Sequence, residues 1–192
     1  MRSGDVLGAR FELEAIAGEG GMGAVWRARD RLEGGAVAIK ALRDFAVEGG
    51  LGPRFAREAA LLAELRHPAV VRYLAHGELD SPTKAGSHWL AMEWLDGEDL
   101  GARLARGPLS IEDAVQLGKR IAEALATAHA QGVVHRDIKP ANLFLPAGDP
   151  SQVKVLDFGI ARSRFATGFD TTVVPITRTG AVIGTVGYMS PE

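Results

Sequence analysis

The segment His135-Arg136-Asp137-Ile138-Lys139-Pro140-Ala141-Asn142 decides how this chain of 192 residues is interpreted. It follows a long predicted helix, so we expect it to form a loop. Asp137 can orient a hydroxyl as a base, Lys139 can neutralise phosphate charge, and Asn142 offers a neutral oxygen ligand for a hard cation. This combination fits phosphoryl transfer. A purely structural role is the weaker alternative, because such a pattern rarely arises by chance.

A second acidic motif lies downstream of this loop. Asp157-Phe158-Gly159 directly follows a predicted strand over Val153–Leu156. The motif is common by itself, but at this distance after Asn142 the Asp157 carboxylate supplies a second hard oxygen ligand for a magnesium–phosphate complex. Residues 160–184 are rich in threonine and lack periodicity, so we predict a long loop there. The chain then ends with Gly184-Thr185-Val186-Gly187-Tyr188-Met189-Ser190-Pro191-Glu192.

A glycine-rich motif lies near the start of the chain. Gly18-Glu19-Gly20-Gly21-Met22-Gly23-Ala24-Val25 matches the pattern G-x-G-x-x-G-x-V, in which glycines allow the backbone to approach phosphate oxygens. A glycine-rich hairpin turn explains the motif equally well. Alternating residues predict strands on both sides, over Phe11–Ala17 and Ala24–Arg29. This context excludes a dinucleotide-binding βαβ unit, which needs a helix after the glycines. A P-loop is excluded because no Gly-Lys-Ser or Gly-Lys-Thr follows.

Lys40 ends the stretch Val-Ala-Ile-Lys within a third predicted strand, over Ala36–Leu42. A lone lysine at such a position is commonly just solvated. Glu58 favours another interpretation. It lies on a predicted helix over Pro53–Arg66, beside a face that Leu62 marks as packed. A carboxylate beside a packed face needs a cationic partner, so we predict an ion pair between Glu58 and Lys40.

The remaining periodicity divides the chain into two lobes. A β-rich lobe extends to about residue 93, and a more helical part follows, joined near Glu93-Trp94-Leu95. Ser110 is a suitable N-cap for the longest predicted helix. Further strands are predicted over Val70–His76, His88–Trp94, Val133–Val134, Leu143–Leu145 and Val153–Leu156, and further helices over Glu98–Arg106 and Ile111–Ala130.

Composition excludes several classes of protein. Hydrophobic residues make up 46% and charged residues 24%, as in ordinary globular domains. We find no membrane segment and no leader, so we expect the chain in the cytoplasm. The absence of cysteine excludes disulfides, thiolate catalysis and cysteine-ligated zinc. A net charge of −2 gives no reason to expect nucleic acid as a partner.

The ordered set of motifs resembles the eukaryotic-like protein kinase family. The set consists of the glycine motif, Lys40, Glu58, the loop around Asp137, Asp157-Phe158-Gly159 and Ser190-Pro191-Glu192. The resemblance extends from about Phe11 to Glu192 and points to the serine/threonine branch, especially bacterial (Hanks-type) members. It implies an α+β, protein-kinase-like bilobal fold. Residues 1–93 would form the small lobe, with a five-stranded antiparallel sheet and one helix. Residues 94–192 would form a partial large lobe, truncated before its later helices.

The resemblance also implies roles for individual residues. The catalytic residues would be Asp137, Lys139, Lys40, Glu58 and Thr185, and the metal ligands Asn142 and Asp157. The cofactors would be ATP and Mg²⁺ or Mn²⁺. The nucleotide would contact Ala17, Gly18, Glu19, Gly20, Gly21, Met22, Gly23, Val25, Ala38, Lys40, Met92, Glu93, Leu95, Asp99 and Leu143. Ala17 stands where the family usually has a larger aliphatic residue.

The resemblance implies that the chain is a non-specific serine/threonine protein kinase acting on protein hydroxyls. Arg136 would grip a phosphorylated activation loop, and spacing before Thr185 singles out Thr177 and Thr179 as autophosphorylation sites. One alternative is a catalytically inactive module that binds nucleotide or a partner. A small-molecule phosphotransferase is another, but it would seldom keep all these motifs together.

Overall fold

The computed structural model describes residues 1–20, 23–42, 52–79, 88–158 and 186–188. These residues form a six-stranded sheet, a three-stranded sheet and three α-helices. The strands are β1 Val6–Leu7, β2 Phe11–Gly20, β3 Gly23–Asp30, β4 Ala36–Leu42, β5 Tyr73–Glu78, β6 His88–Glu93, β7 Gly97–Asp99, β8 Leu143–Pro146 and β9 Lys154–Val155. The helices are α1 Gly52–Glu64, α2 Leu100–Leu104 and α3 Ile111–Ala130.

The larger sheet has the strand order β1-β2-β3-β4-β6-β5, and every neighbouring pair is antiparallel. The prediction of five strands is one too few. The additional strand, β1, pairs Val6 with Glu12 and Leu7 with Phe11. Two residues are too short to show an alternating pattern, so only the pairing with β2 reveals this strand.

The two faces of this sheet pack differently. On one face, Phe11, Leu13, Trp26, Ile39 and Trp89 form a buried cluster. On the other face, Leu90 and Met92 join a larger core with residues of α1 and α3. Alternate residues of a strand point to opposite faces, which is why neighbours such as Trp89 and Leu90 separate. Each fully buried large side chain contributes about 1.5–3 kcal/mol.

The long helix α3 has the predicted boundaries and the predicted cap. The Ser110 hydroxyl accepts a hydrogen bond from the Asp113 N–H at 3.0 Å. At the other end, Gly132 has φ +73°, its N–H donates to His129 O, and the Val133 N–H donates to Ala128 O. This is a Schellman ending. The prediction of a strand at Val133–Val134 is therefore wrong, because Val133 closes the helix instead.

The segment predicted as a helix over Glu98–Arg106 divides into two elements. Its first residues belong to β7, which pairs with β8, and only Leu100–Leu104 is helical. The Asp99 carboxylate caps α2 by accepting the Ala102 N–H at 3.0 Å. Because a cap residue has extended backbone, the helix cannot begin before it. In the first part of the chain, α1 spans Gly52–Glu64 and so ends before the predicted Arg66.

The two sheets are joined by backbone hydrogen bonds. The Val71 N–H donates to Val155 O at 3.1 Å, and the Val155 N–H donates to Ala69 O at 2.8 Å. Val70 and Val155 thus form an isolated parallel bridge. A side-chain contact lies nearby, between Lys154 Nζ and Glu93 Oε1 at 2.7 Å. Among the described residues, no helix is long and apolar enough to span a membrane.

Candidate active site

The loop after α3 brings two of the predicted catalytic and metal-binding side chains, those of Lys139 and Asn142, into contact with Asp137. Its carboxylate oxygen Oδ2 lies 2.9 Å from Lys139 Nζ and 3.2 Å from Asn142 Nδ2. Asn142 Nδ2 also donates to the Asp137 backbone oxygen at 2.8 Å. A 3₁₀ turn over Pro140–Asn142 holds Asn142 in place, and proline suits the first position of such a turn. The carboxylate is therefore fixed before any ligand binds.

His135 attaches this loop to the strand that leads to Asp157. The side chain is buried, and its Nε2 lies 2.7 Å from Leu156 O. The Asp137 N–H donates to Nδ1 at 3.2 Å. Because Nδ1 accepts a hydrogen bond, we assign the proton to Nε2 and treat the ring as neutral. His135 belongs to the motif that decided the interpretation, but the sequence alone predicts no role for it. Its burial beside Phe158 identifies that role as an anchor.

Asp157 brings the two lobes together at a charged contact. It has φ +56°, and its Oδ2 lies 2.7 Å from Lys40 Nζ, the cation at the middle of β4. The predicted partner of Lys40 was Glu58. Glu58 lies on α1, but its side chain is outside the described part of the structure. The described partner of Lys40 is therefore Asp157.

Asn142 and Asp157 lie on neighbouring strand ends. The Leu156 N–H donates to Asn142 O at 2.9 Å, and Leu143 pairs with Val155 between β8 and β9. Since Asn142 Nδ2 is engaged by Asp137, its amide oxygen is the atom left to bind a ligand. A carboxylate and an amide oxygen suit Mg²⁺. Within the described ranges, no three His, Cys, Asp or Glu residues form a metal-binding group. Water or phosphate oxygens would have to complete the coordination.

The strand register places several predicted nucleotide contacts on one face of the large sheet. Val25 lies opposite Lys40, and Ala38 lies opposite Met92. Ala38 and Lys40 are two residues apart and therefore share this face. Leu143, which is also buried, belongs to the same core as Met92. Val25, Ala38 and Met92 therefore lie on the same sheet face as Lys40, which contacts Asp157.

The glycine motif is built into a hairpin rather than a separate loop. Gly18 pairs with Val25, and Gly20 pairs with Gly23. Gly23 has φ +140°, and a Cβ there would lie 1.8 Å from Ala41 O, so packing requires this glycine. At Gly18 a Cβ would meet nothing within 4 Å. The fold does not explain the absence of a side chain at Gly18, whereas a close ligand would.

A protein family matches the part of the chain that contains these motifs. Residues 11–192 match the protein kinase domain family. The chain belongs to this family.

Relatives of this kinase chain include named bacterial enzymes. Serine/threonine-protein kinase PknA of Mycobacterium tuberculosis is 38% identical, covering 100% of this chain and 43% of that protein. A probable serine/threonine-protein kinase, SCO3848 of Streptomyces coelicolor, is 43% identical over 97% of this chain and 27% of that protein. The chain thus spans less than half the length of either relative.

Solved structures support the protein kinase fold. The Mycobacterium tuberculosis PknI kinase domain matches with a TM-score of 0.73 and 30% identity, covering 85% of this chain and 63% of that one. Rad53 in complex with AMP-PNP matches with a TM-score of 0.67 and 29% identity, over 79% of this chain and 38% of that one. The α+β, two-lobed kinase fold expected from sequence is confirmed, with the large lobe represented only in part.

The remaining predicted nucleotide-binding and regulatory residues of this kinase chain are spread over several elements. Ala17 and Glu19 are exposed on β2, and Leu95 is partly buried after β6. The Glu93 carboxylate accepts hydrogen bonds from Lys154 and the Arg72 N–H. Asp99 caps α2. Outside the described residues lie Gly21, Met22, Thr177, Thr179 and Thr185.

Proposed function

We propose that this chain is the catalytic part of a serine/threonine protein kinase, which transfers the γ-phosphate of ATP to protein hydroxyls. The observation that carries the proposal is the position of Asp137, whose side chain is 8% exposed and whose carboxylate is held between Lys139 and Asn142. A substrate hydroxyl needs an oriented acceptor for its proton, and this carboxylate is already oriented. The neighbouring Lys139 supplies positive charge where phosphate charge develops.

Residues across the lobe contact would hold the nucleotide phosphates. Lys40 would bind the α- and β-phosphates, while Asn142 and Asp157 would bind Mg²⁺, with Mn²⁺ as the other candidate ion. The metal neutralises phosphate charge when bound. Lys40 already lies 2.7 Å from Asp157, so the two groups are placed to share one phosphate–metal complex. Glu58 would fix Lys40 from α1, and Thr185 would brace the catalytic loop.

The apolar face beside these charges would receive adenine. Val25, Ala38 and Leu143 would sandwich the ring, Met92 would close the pocket, and the backbone at Glu93 and Leu95 would hydrogen-bond the adenine edge. Asp99 would reach the ribose. The segment Ala17–Gly23, which includes the end of β2 and the start of β3, would cover the phosphates, and the open space at Gly18 supports this role. The similarity to Rad53 bound to AMP-PNP also supports a nucleotide here.

The proposed domain division is a small lobe over residues 1–93 and part of a large lobe over residues 94–192. The change from six-stranded sheet to α3 and the small second sheet supports this boundary. The connection then lies between the end of β6 at Glu93 and the start of β7 at Gly97. Retention of Lys40, Asp137 and Asp157 argues against the inactive-module alternative, because loss of these groups would remove phosphate and hydroxyl binding.

Nucleotide affinity provides the first test. ATP binding should require Mg²⁺ in the wild-type chain and should weaken at least tenfold in Lys40→Met and Asp157→Asn, because each leaves phosphate charge uncompensated. Lys119→Met is the matched control, since Lys119 is exposed on α3. Calorimetry with and without Mg²⁺ measures these affinities. Equal affinities in the wild type and both site variants would contradict the proposal.

Regulation by autophosphorylation completes the proposal. Arg136 would pair with a phosphate on Thr177 or Thr179, because phosphothreonine adds nearly two negative charges and strong acceptors for a guanidinium. Incubation of the full-length protein with Mg²⁺ and ATP should label one or both threonines, and their double alanine variant should lose most activity. Mass spectrometry that finds phosphate only elsewhere, or full activity of the double variant, would refute this regulation.

A further inference from the structure

Trp94 lies in the connection between β6 and β7, and its indole ring is held by two contacts. The Arg27 guanidinium lies over the ring, 5.7 Å from its centroid. The indole N–H donates to Asp96 Oδ1 at 2.8 Å. A cation over the face of an aromatic ring is attracted to it, and tryptophan is the best partner for such a contact. The two contacts therefore fix the orientation of the Trp94 ring.

Arg27 is itself held in place from the sheet. It lies on β3, opposite Ala38 on β4. Its guanidinium also forms an ion pair with the Glu14 carboxylate on β2. An exposed ion pair contributes little energy by itself, but it limits the directions that a long side chain can take. The contact between Arg27 and Trp94 thus ties the connection to two strands of the larger sheet.

This contact borders the face that we propose to receive adenine. Val25 and Arg27 are two residues apart on β3 and therefore share that face. Ala38 lies opposite Arg27 and, on its other side, pairs with Met92. Trp94 follows Met92 by two residues. Arg27 therefore lies at the end of the adenine face from which the connection leaves the sheet.

The backbone of the connection is held at both of its ends. The Glu93 N–H donates to Arg72 O at 2.9 Å, and the Ala147 N–H donates to Asp96 O at 2.9 Å. Between these ends, the Trp94 ring supplies a contact with the sheet. The peptides on either side of Trp94 must turn if this residue turns. A base that hydrogen-bonds this backbone gains affinity when the backbone is already oriented, because less freedom is lost on binding.

We propose that Arg27 is a positioning residue for the base of the nucleotide. By stacking on Trp94, it holds the connection so that the backbone groups of Glu93 and Leu95 face the adenine edge. This inference rests on the proposed function, because it concerns the base of the nucleotide proposed there. Arg27 acts through Trp94, and the phosphates would lie further along the face, at Lys40. Arg27 should therefore affect affinity for the base and leave the transfer step unchanged.

The test is Arg27→Met, which keeps an unbranched side chain and removes the cation. Adenosine is the probe, since it has the base and the ribose without phosphate. In the full-length protein, the Kd for adenosine and the KM for ATP should each rise about 2- to 5-fold, the factor that corresponds to one exposed cation–π contact. The kcat and the Mg²⁺ requirement should not change, because the lost interaction contributes equally to substrate and transition state. A loss of folded protein alone would instead lower kcat and leave KM unchanged.

Arg31→Met is the matched control. Arg31 follows the end of β3 and pairs with the Glu12 carboxylate at 3.1 Å, so it is also an exposed arginine bound to a glutamate of β2. This variant should change neither the Kd for adenosine nor the KM for ATP.

A double-mutant cycle identifies Trp94 as the residue through which Arg27 acts. Trp94→Leu should weaken adenosine binding at least as much as Arg27→Met does. Adding Arg27→Met to Trp94→Leu should cause no further loss, because the ring that Arg27 contacts is already absent. Should Arg27→Met fail to fold, Arg27→Gln serves for the same comparisons.

Unchanged adenosine affinity in Arg27→Met, an equal loss in Arg31→Met, or additive losses in the double variant would overturn the inference. If the wild-type protein binds neither adenosine nor ATP, the proposed function fails and the role of Arg27 fails with it. Wild-type binding of both ligands together with an unaffected Arg27→Met contradicts the role of Arg27 alone. The two failures are therefore distinguishable.

Discussion

Replacing Lys154 with methionine tests how firmly the two sheets are tied together. Lys154 Nζ lies 2.7 Å from Glu93 Oε1, and the Arg72 N–H donates to the same oxygen at 2.8 Å. The side chains of Lys154 and Glu93 are 20% and 23% exposed. The pair is therefore sheltered from solvent, and it joins residues 61 positions apart in the sequence.

The expected energy lies between two known limits. Exposed ion pairs contribute about 0.2–1 kcal/mol, whereas breaking a buried pair costs about 3–5 kcal/mol. With both side chains largely but not fully covered, we expect a coupling energy of about 1–2 kcal/mol between Lys154 and Glu93. For a chain of this size, the loss corresponds to a fall in Tm of about 2–8 °C.

A double-mutant cycle isolates this energy. Urea unfolding is measured for the wild type, Lys154→Met, Glu93→Gln and the double variant, since glutamine can still accept the Arg72 N–H. The pair Lys119–Glu123 on α3 is the control, because its atoms are 3.9 Å apart and its side chains are 74% and 52% exposed. A Lys154–Glu93 coupling no larger than that of the control pair would refute the reasoning.

Three further predictions follow from single sites. Asp137→Asn in the full-length protein should lower the rate of phosphoryl transfer at least about 10²-fold without changing ATP affinity. Steady-state kinetics measures the rate and calorimetry measures the affinity. Retained turnover would contradict the role assigned to Asp137. The hydrogen bond from Arg10 lowers the pKa of the Asp30 carboxyl to about 2, below its value in the unfolded chain. The Arg10–Asp30 pair should therefore add about 1–2 kcal/mol to the free energy of unfolding above pH 4, and this contribution should be lost as the pH falls towards 2. Asp30→Asn should abolish that part of the acid dependence in unfolding experiments, and an unchanged pH profile would count against it. Gly23→Ala should destabilise the chain by at least about 2 kcal/mol, because the added Cβ clashes with a backbone carbonyl. Gly18→Ala should leave the Tm unchanged and weaken ATP binding, because a Cβ there meets nothing within 4 Å. Equal Tm values for the two variants would contradict this prediction.

Long periodic elements were the parts of the fold that could be predicted from sequence. The boundaries of β4 and α3 match the predictions, because alternation marks the strand and an apolar stripe with a serine cap marks the helix. Short elements were not predictable in this way. β1 and β7 have two and three residues, and each is defined by a partner strand elsewhere in the sequence.

The candidate site was likewise predictable from sequence only in part. Asp137, Lys139 and Asn142 are close in sequence, and the structure brings them together as their spacing indicated. The contact between Lys40 and Asp157 could not be read from spacing, because it depends on how the sheets dock.

The bridge between Val70 and Val155 has a consequence for the order in which the chain folds. Strands β2, β3 and β4 form two consecutive antiparallel pairs, so they can pair while later residues are still unstructured. The bridge and the Lys154–Glu93 pair must close long loops, which is slow compared with local pairing. We therefore expect β2, β3 and β4 to pair early and the Asp157 site to assemble last. A nascent chain would form these three strands long before it could hold a nucleotide.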